Sequence, residues 1–269
     1  FNFKGNDQQK LVGQLSGGAV TGVGLSAIDL EIRTIDAARS YAELDTLRQK
    51  LDAILHKRFE ERGYVLLGWG DVGPVHLFTN KEVKTMADLQ GLRLWLWGDD
   101  PVSKQLFKAL EIRGVPMGVP DVLPALSTGA VDAFFASPLS AMALQWQGHA
   151  KYISSMVMTQ ATGATVLAKK VFDSLSPEDR KVVLDESRSM EAQVKKQVRD
   201  DNARALVAMH NKYKLQTMQI PPELEKEMRR RGEAVAIEIG KSFSAETRAA
   251  IEQILDDFQT RQAESKRRN

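Results

Sequence analysis

The residues in this chain best suited to acid-base or metal chemistry are scattered rather than grouped. Its four histidines, His56, His76, His149 and His210, show no metal-ligand spacing to one another or to a carboxylate. His56 and His210 fall on helical stretches and read as surface or half-buried polar groups. Asp99-Asp100 has the residue types for acid-base work, but it stands directly before Pro101, where an aspartate more often caps a helix. Gly22-Val-Gly24-Leu-Ser-Ala27 matches part of a dinucleotide-binding turn. That turn needs glycines between a strand and a tightly apposed helix, and here they fall within or just after the strand. A tight turn is the better reading. The chain has no cysteine, which excludes disulfides, thiolate metal sites and a cysteine nucleophile. No Gly-x-Ser-x-Gly elbow and no phosphate loop occurs. No catalytic set and no cofactor site can be assembled, so an enzyme is not expected.

The aromatic residues carry more information. In an open parallel sheet, ligands bind beyond the carboxyl ends of the strands. Trp95 and Trp97 are two apart on one predicted strand, hence on one face near that end. Phe134 and Phe135 end another strand on opposite faces, followed by Ala136-Ser137, and Trp69 ends a third. Packing between sheet and helices is the ordinary fate of each ring taken singly. Three strands placing aromatics at the same end also describe a shared cleft.

The elements that position these residues follow from periodicity and capping. Ala19 to Leu25 and Tyr64 to Trp69 read as strands around a helix from about Tyr41 to Arg62. Thr85 caps a short helix with Asp88 as its capping-box partner and Gly91 at its end. Leu92 to Trp97 is a strand, and Asp100-Pro101 opens a helix through about Leu110. A strand near Val115-Pro116-Met117 precedes a helix from Pro120 closed by Gly129. Val131 to Phe135 is a strand, Pro138 to Trp146 a helix, and Tyr152 to Met158 a strand. This alternation predicts a mainly parallel, twisted sheet with helices on both faces. Ala164 to Ala168 then reads as a strand crossing back. Ser176-Pro177 opens a long helix, with Val183, Met190, Val194, Val198, Ala205 and Met209 along one face. Further helices begin at Pro222 and Ser244.

The totals narrow the function classes. The 269 residues carry nearly equal numbers of both charges, for a net +2, which argues against a nucleic-acid partner. The terminal Lys266-Arg267-Arg268 run reads as a solvated helix end. The most apolar region, Gly129 to Trp146, is broken by Asp132, Ser137 and Pro138, so nothing approaches the ~18 apolar residues of a membrane span. Phe1 to Asn6 has neither the basic nor the apolar region of a signal peptide. An exported protein is therefore expected to have lost its signal before this sequence begins.

Several segments, in order, resemble the substrate-binding proteins of tripartite ATP-independent periplasmic (TRAP) transporters, a DctP-like family. They are Gly63-Tyr-Val-Leu-Leu-Gly-Trp69, Thr79-Asn80 and Thr85-Met-Ala-Asp-Leu-Gln-Gly-Leu-Arg-Leu94. Downstream come Ala125-Leu-Ser-Thr-Gly-Ala-Val-Asp132, Pro138-Leu-Ser140 and Phe172-Asp-Ser-Leu-Ser-Pro-Glu-Asp179. The likeness runs from about Gln14 to the C-terminal helices. It implies a periplasmic-binding-protein fold, two α/β lobes joined by crossing strands with long C-terminal helices. Residues 1–79 and 160–212 would form lobe I, lacking its first strand–helix unit; 80–159 would form lobe II; 213–269 would pack across the lobes. It also implies a periplasmic receptor that closes on a small molecule and docks on membrane permease subunits, without a cofactor. Residues 32–39 match the family poorly.

The ligand is where the sequence departs from the family pattern. Family members that bind organic acids fork an arginine onto the carboxylate, and that position here is Trp95. A second arginine position falls at Val75, and a polar run is replaced by Phe135-Ala136-Ser137. A buried carboxylate without a partner costs several kcal/mol. The expected ligand is therefore apolar, aromatic or lipid-like. Its candidate contacts are Trp69, Val75, Trp95 and Trp97, together with Met117, Phe134, Phe135 and Ser137. The alternatives are a carboxylate receptor using Arg93 as its anion contact, or a protein-interaction module docking through the C-terminal helices.

Overall fold

A computed structural model describes residues 19–21, 40–98, 100–241 and 244–268; the Gly22–Ala27 turn, residues 32–39 and Asp99, all weighed above, lie outside them. Strand β1 (Ala19–Thr21) is followed by α1 (Tyr41–Glu61). A Ser40/Glu43 capping box starts α1, and Leu44, Leu47, Leu51, Leu55 and Phe59 form its buried stripe at helical spacing. Next come β2 (Tyr64–Thr79), α2 (Met86–Gln90), β3 (Arg93–Trp97), α3 (Pro101–Leu110), β4 (Arg113–Met117), α4 (Val119–Thr128) and β5 (Ala133–Ala136). The chain continues through α5 (Pro138–Ala143), a 3-10 turn (Trp146–His149), β6 (Tyr152–Ser154), β7 (Thr159–Ala168) and α6 (Lys169–Ser174). It ends with α7 (Pro177–Asn211), β8 (Gln216–Met218), α8 (Pro222–Gly240) and α9 (Ala245–Arg268).

The fold is two-lobed and α/β, and β2 belongs to both halves. From Tyr64 to Val75 it pairs antiparallel with β7; from His76 to Thr79 it pairs antiparallel with β5. Strands β3, β4 and β5 run parallel to one another. The sheet is therefore mixed rather than mainly parallel, because the two long crossing strands run in opposite senses. Nor does the strand at Tyr64 stop at Trp69. Gly68, Gly70, Gly73 and Pro74 resemble turn punctuation, yet they sit in and beside two register shifts, at Leu66/Gly68 and Asp71/Gly73. Such bulges bend a strand without ending it.

Three apolar cores hold the layers. One joins Leu44, Leu47 and Phe59 of α1 to Trp69, Val166 and, from α9, Ile251, Leu255 and Phe258. A second lies on one face of the other half, where Leu224 and Met228 of α8 meet Leu94 and Phe107. The third lies on the opposite face and includes Phe78, Trp95, Phe134, Trp146 and Met209. The helix expected to reach Trp146 ends at Ala143, because Gln145 takes a left-handed conformation (φ 61°) that no α-helix can include. The stripe expected along α7 is only partly buried. Ala205 and Met209 enter a core, whereas Met190 and Val194 lie exposed on earlier turns.

Candidate functional site

The carboxyl ends of β3, β4 and β5 share one edge, and that edge faces the half that β2 comes from. Trp97 ends β3 in register with Met117 at the end of β4. Trp95 Nε1 donates to Met117 O at 3.1 Å, and Gly98 N donates to the same carbonyl at 3.2 Å. These bonds lock the two strand ends together. Trp97 is 58% exposed, while Trp95 is only 8% exposed. Their rings stack with centroids 6.2 Å apart. Trp95 meets Trp146 edge-on at 4.9 Å, Trp146 meets Phe134 at 5.4 Å, and Phe134 stacks on Phe78 at 4.8 Å. The result is a stack of rings rooted in the core and ending in one exposed indole.

The remaining candidates are distributed differently. Phe134 is fully buried within that stack, whereas Phe135 points to the other face and packs on Phe107 at 6.3 Å. Ser137 is buried and caps α5, accepting from Ser140 N at 3.2 Å. Val75 is half-buried at the point where β2 changes partner. Trp69 lies mid-strand in the first core, against Phe59 at 6.2 Å. Arg93 begins β3, four residues from Trp97 and so about 13 Å away along the strand. Its guanidinium is taken up by Asp132 Oδ2, at 3.3 Å from Nε and 3.2 Å from Nη2.

One group of polar residues escaped the sequence reading. Asp71, with no exposed side-chain surface, accepts from Arg48 Nη1 and Arg199 Nε, each at 2.6 Å. Arg199 also forks onto Asp45 through two bonds of 2.7 Å. Those bonds, from Arg199 first, hold the Asp45 carboxyl below its usual range despite partial burial, and the same partners raise the Arg199 pKa further. The only local signal was a lone aspartate inside an otherwise apolar, glycine-rich strand. Beside it, Asn202 of α7 is buried; its Nδ2 donates to Val72 O at 3.0 Å and its Oδ1 accepts from Leu139 N at 3.1 Å. Among the described residues, no three His, Cys, Asp or Glu side chains are grouped to hold a metal, and no helix is long and apolar enough to cross a membrane.

Two α/β halves thus share continuous strands, and the exposed Trp97 stands on the edge that turns from one half to the other. The chain belongs to the bacterial extracellular solute-binding protein family 7, whose pattern it matches over residues 34–242. Solved TRAP receptors share the fold. The periplasmic ectoine-binding protein of a Halomonas elongata TRAP transporter superposes with a TM-score of 0.81 at 13% identity, over 94% of this chain and 85% of that one. A TRAP solute-binding protein from Ochrobactrum anthropi, with its own C-terminus in the ligand pocket, gives 0.78 at 24% identity, over 97% and 84%. A Bordetella pertussis receptor that binds pyroglutamic acid gives 0.74 at 23% identity, over 84% and 72%.

Proposed function

We propose that this chain is the periplasmic receptor of a TRAP transporter and delivers a small ligand with an apolar or aromatic body to membrane permease subunits. Its first lobe comprises the described part of residues 1–79 with 160–212, its second 80–159, and the helices after 212 brace them. Trp97 carries the ligand reading. An indole 58% exposed, yet stacked on a buried partner, is a rigid flat surface at the edge where the family's fold encloses its solute. Met117, in register with it at the end of β4, adds apolar surface. Binding a solute outside the cell is what the family's name describes.

The receptors compared above bind pyroglutamic acid and ectoine, compact rings that each carry a carboxylate. Arg93 is poorly placed to read such a group here, since Asp132 occupies its guanidinium at the far end of β3. Mass spectrometry of the small molecules released from freshly purified, denatured protein tests the proposal. The wild type should release a stoichiometric compound with a ring or an apolar body, and Trp97→Ala should release far less while keeping the wild-type circular dichroism spectrum and, once both are stripped of ligand, the wild-type melting temperature. A variant that retains the compound at full occupancy would rule out the platform.

A further inference from the structure

The backbone of Trp97 is fixed on both sides. Its carbonyl accepts from Asp100 N at 3.0 Å, and the next residue, Gly98, donates its N–H to Met117 O at 3.2 Å. Its ring is another matter, because an exposed side chain at a strand end turns among staggered wells unless a neighbour stops it. Met117, its register partner on β4, carries a flexible thioether that adapts to a ring rather than fixing one. The rigid neighbour is Trp95, whose ring centroid lies 6.2 Å away with the two planes 26° apart. Trp95 is itself held by the edge contact with Trp146 and by the 3.1 Å bond from its Nε1 to Met117 O. Of these, only the N–H bond is directional. An indole is unsymmetrical, so turning it over would carry the N–H away from that carbonyl and leave a donor unpaired on a buried ring. The Met117 carbonyl, with two acceptor sites, thus acts on Trp97 twice, through the turn that follows it and through the ring beside it.

We infer that Trp95 is the positioning residue of the platform: it touches no ligand and, through its bond to Met117 O, holds the Trp97 ring in the orientation a flat solute meets. The inference rests on the receptor reading above. It also gives the position a different task from the one the family resemblance implies, where an arginine reaches the ligand, and from the ligand contact expected of Trp95 in the sequence. A ring 8% exposed beside one 58% exposed supports its neighbour rather than meeting the solute. Released from Trp95, the Trp97 ring would spread over roughly three χ1 wells. The fraction ready to bind would fall to about one third, and apparent affinity would fall about threefold.

Replacing Trp95 by 3-benzothienylalanine, which keeps the bicyclic ring and puts sulfur in place of the N–H, removes the bond alone. Trp95→Phe removes the bond and part of the stack. The readout is heteronuclear relaxation of the indole N–H groups of the full, ligand-free chain, which has four tryptophans; Trp97 is the signal that Trp97→Phe deletes. In the wild type, the Trp97 indole should be as rigid as those of the buried Trp69 and Trp146. In both variants it should become mobile on the picosecond to nanosecond scale while Trp69 and Trp146 keep their values, a pattern that general loss of stability would not give. Equilibrium dialysis of the ligand-free proteins against a limiting amount of the small-molecule fraction released from wild type then reads binding, and each variant should retain about one third as much. A Trp97 indole already mobile in the wild type, or equally rigid in both variants, overturns the inference. A loosened ring with unchanged retention overturns the platform while the hold of Trp95 on Trp97 stands. A wild type that releases no compound overturns the receptor reading, and the relaxation measurement alone then decides what Trp95 does.

Discussion

Gly73 and Asn202 fit so closely that a Cβ added to the glycine would stand 2.5 Å from the asparagine Nδ2. Gly73 also holds φ at +121°, a conformation side chains resist. Its neighbour Val72 is the extra residue of the bulge, and Asn202 takes the carbonyl that the bulge leaves without a ladder partner. The asparagine also reaches Leu139 N at the start of α5, so one amide ties β2, α7 and α5 together.

Gly73→Ala should therefore destabilise the protein by about 2–4 kcal/mol, from backbone strain and overpacking combined. Asn202→Ala should cost about 2–3 kcal/mol by stranding buried polar groups. The double variant should lose less than the sum, because removing the amide relieves the clash but not the strain. Urea unfolding of all four proteins measures the coupling, and strict additivity would contradict the contact.

The two tryptophans of β3 should separate sharply. Trp95→Ala empties a site at the centre of the ring stack and should cost about 3–5 kcal/mol. Trp97→Ala removes an exposed ring and should stay within about 1 kcal/mol of wild type. Circular dichroism melting distinguishes them in one experiment.

Breaking the buried ion pair should be costly from either side. Arg199→Met leaves Asp71 one cation short and Asp45 without its fork, and should cost about 3–5 kcal/mol. Asp71→Asn should cost a similar amount, since two arginines then face a neutral amide. Because Asp71 has no exposed side-chain surface, added salt should recover little of either loss, whereas an exposed pair would be screened away. A midpoint in denaturant that moved by less than about 1 kcal/mol for both variants would assign the network no structural weight.

His76 gives the fold a dependence on pH. Burial, reinforced by the nearby His210, depresses its pKa, although a 2.8 Å bond between Nδ1 and Ser154 O partly offsets this. The unfolded chain takes up the proton first as pH falls, so the unfolded state binds more protons and stability drops with it. The contribution is complete above the ordinary histidine value of about 6.5 and is lost below it, by at most about 1.4 kcal/mol per pH unit. His76→Gln should flatten the stability profile between pH 7 and 5; an unaltered slope would locate the proton elsewhere.

What the sequence reveals here is what neighbouring residues determine. Thr85 with Asp88, Asp100 before Pro101, the left-handed Gly129 and Ser176 before Pro177 all act within one helical turn, and each bounds a helix where its chemistry requires. The same-face spacing of Trp95 and Trp97 is likewise local, and their rings do stack. Their opposite exposures are not local, because they depend on Trp146, half a hundred residues onward, covering one ring and not the other. The Asp71–Arg199 pair spans 128 residues and leaves no pattern in either segment. The continuation of β2 through Gly70, Gly73 and Pro74 was hidden for the opposite reason: residues that usually stop a strand here only bend it.

The helix that completes the first core is made long after the residues it covers. Ile251, Leu255 and Phe258 fill the space beside Leu47 and Trp69, which leave the ribosome some two hundred residues earlier. The second half, by contrast, has nearly all of its strands in hand by Ser154. A nascent chain can thus assemble one half while the other waits for its final helix, with the buried face of α1 still uncovered. For an extracytoplasmic receptor, a core that cannot close until residues 251–258 have been made prolongs the interval in which the chain remains threadable. Deleting the residues after 240 should hold it in that state.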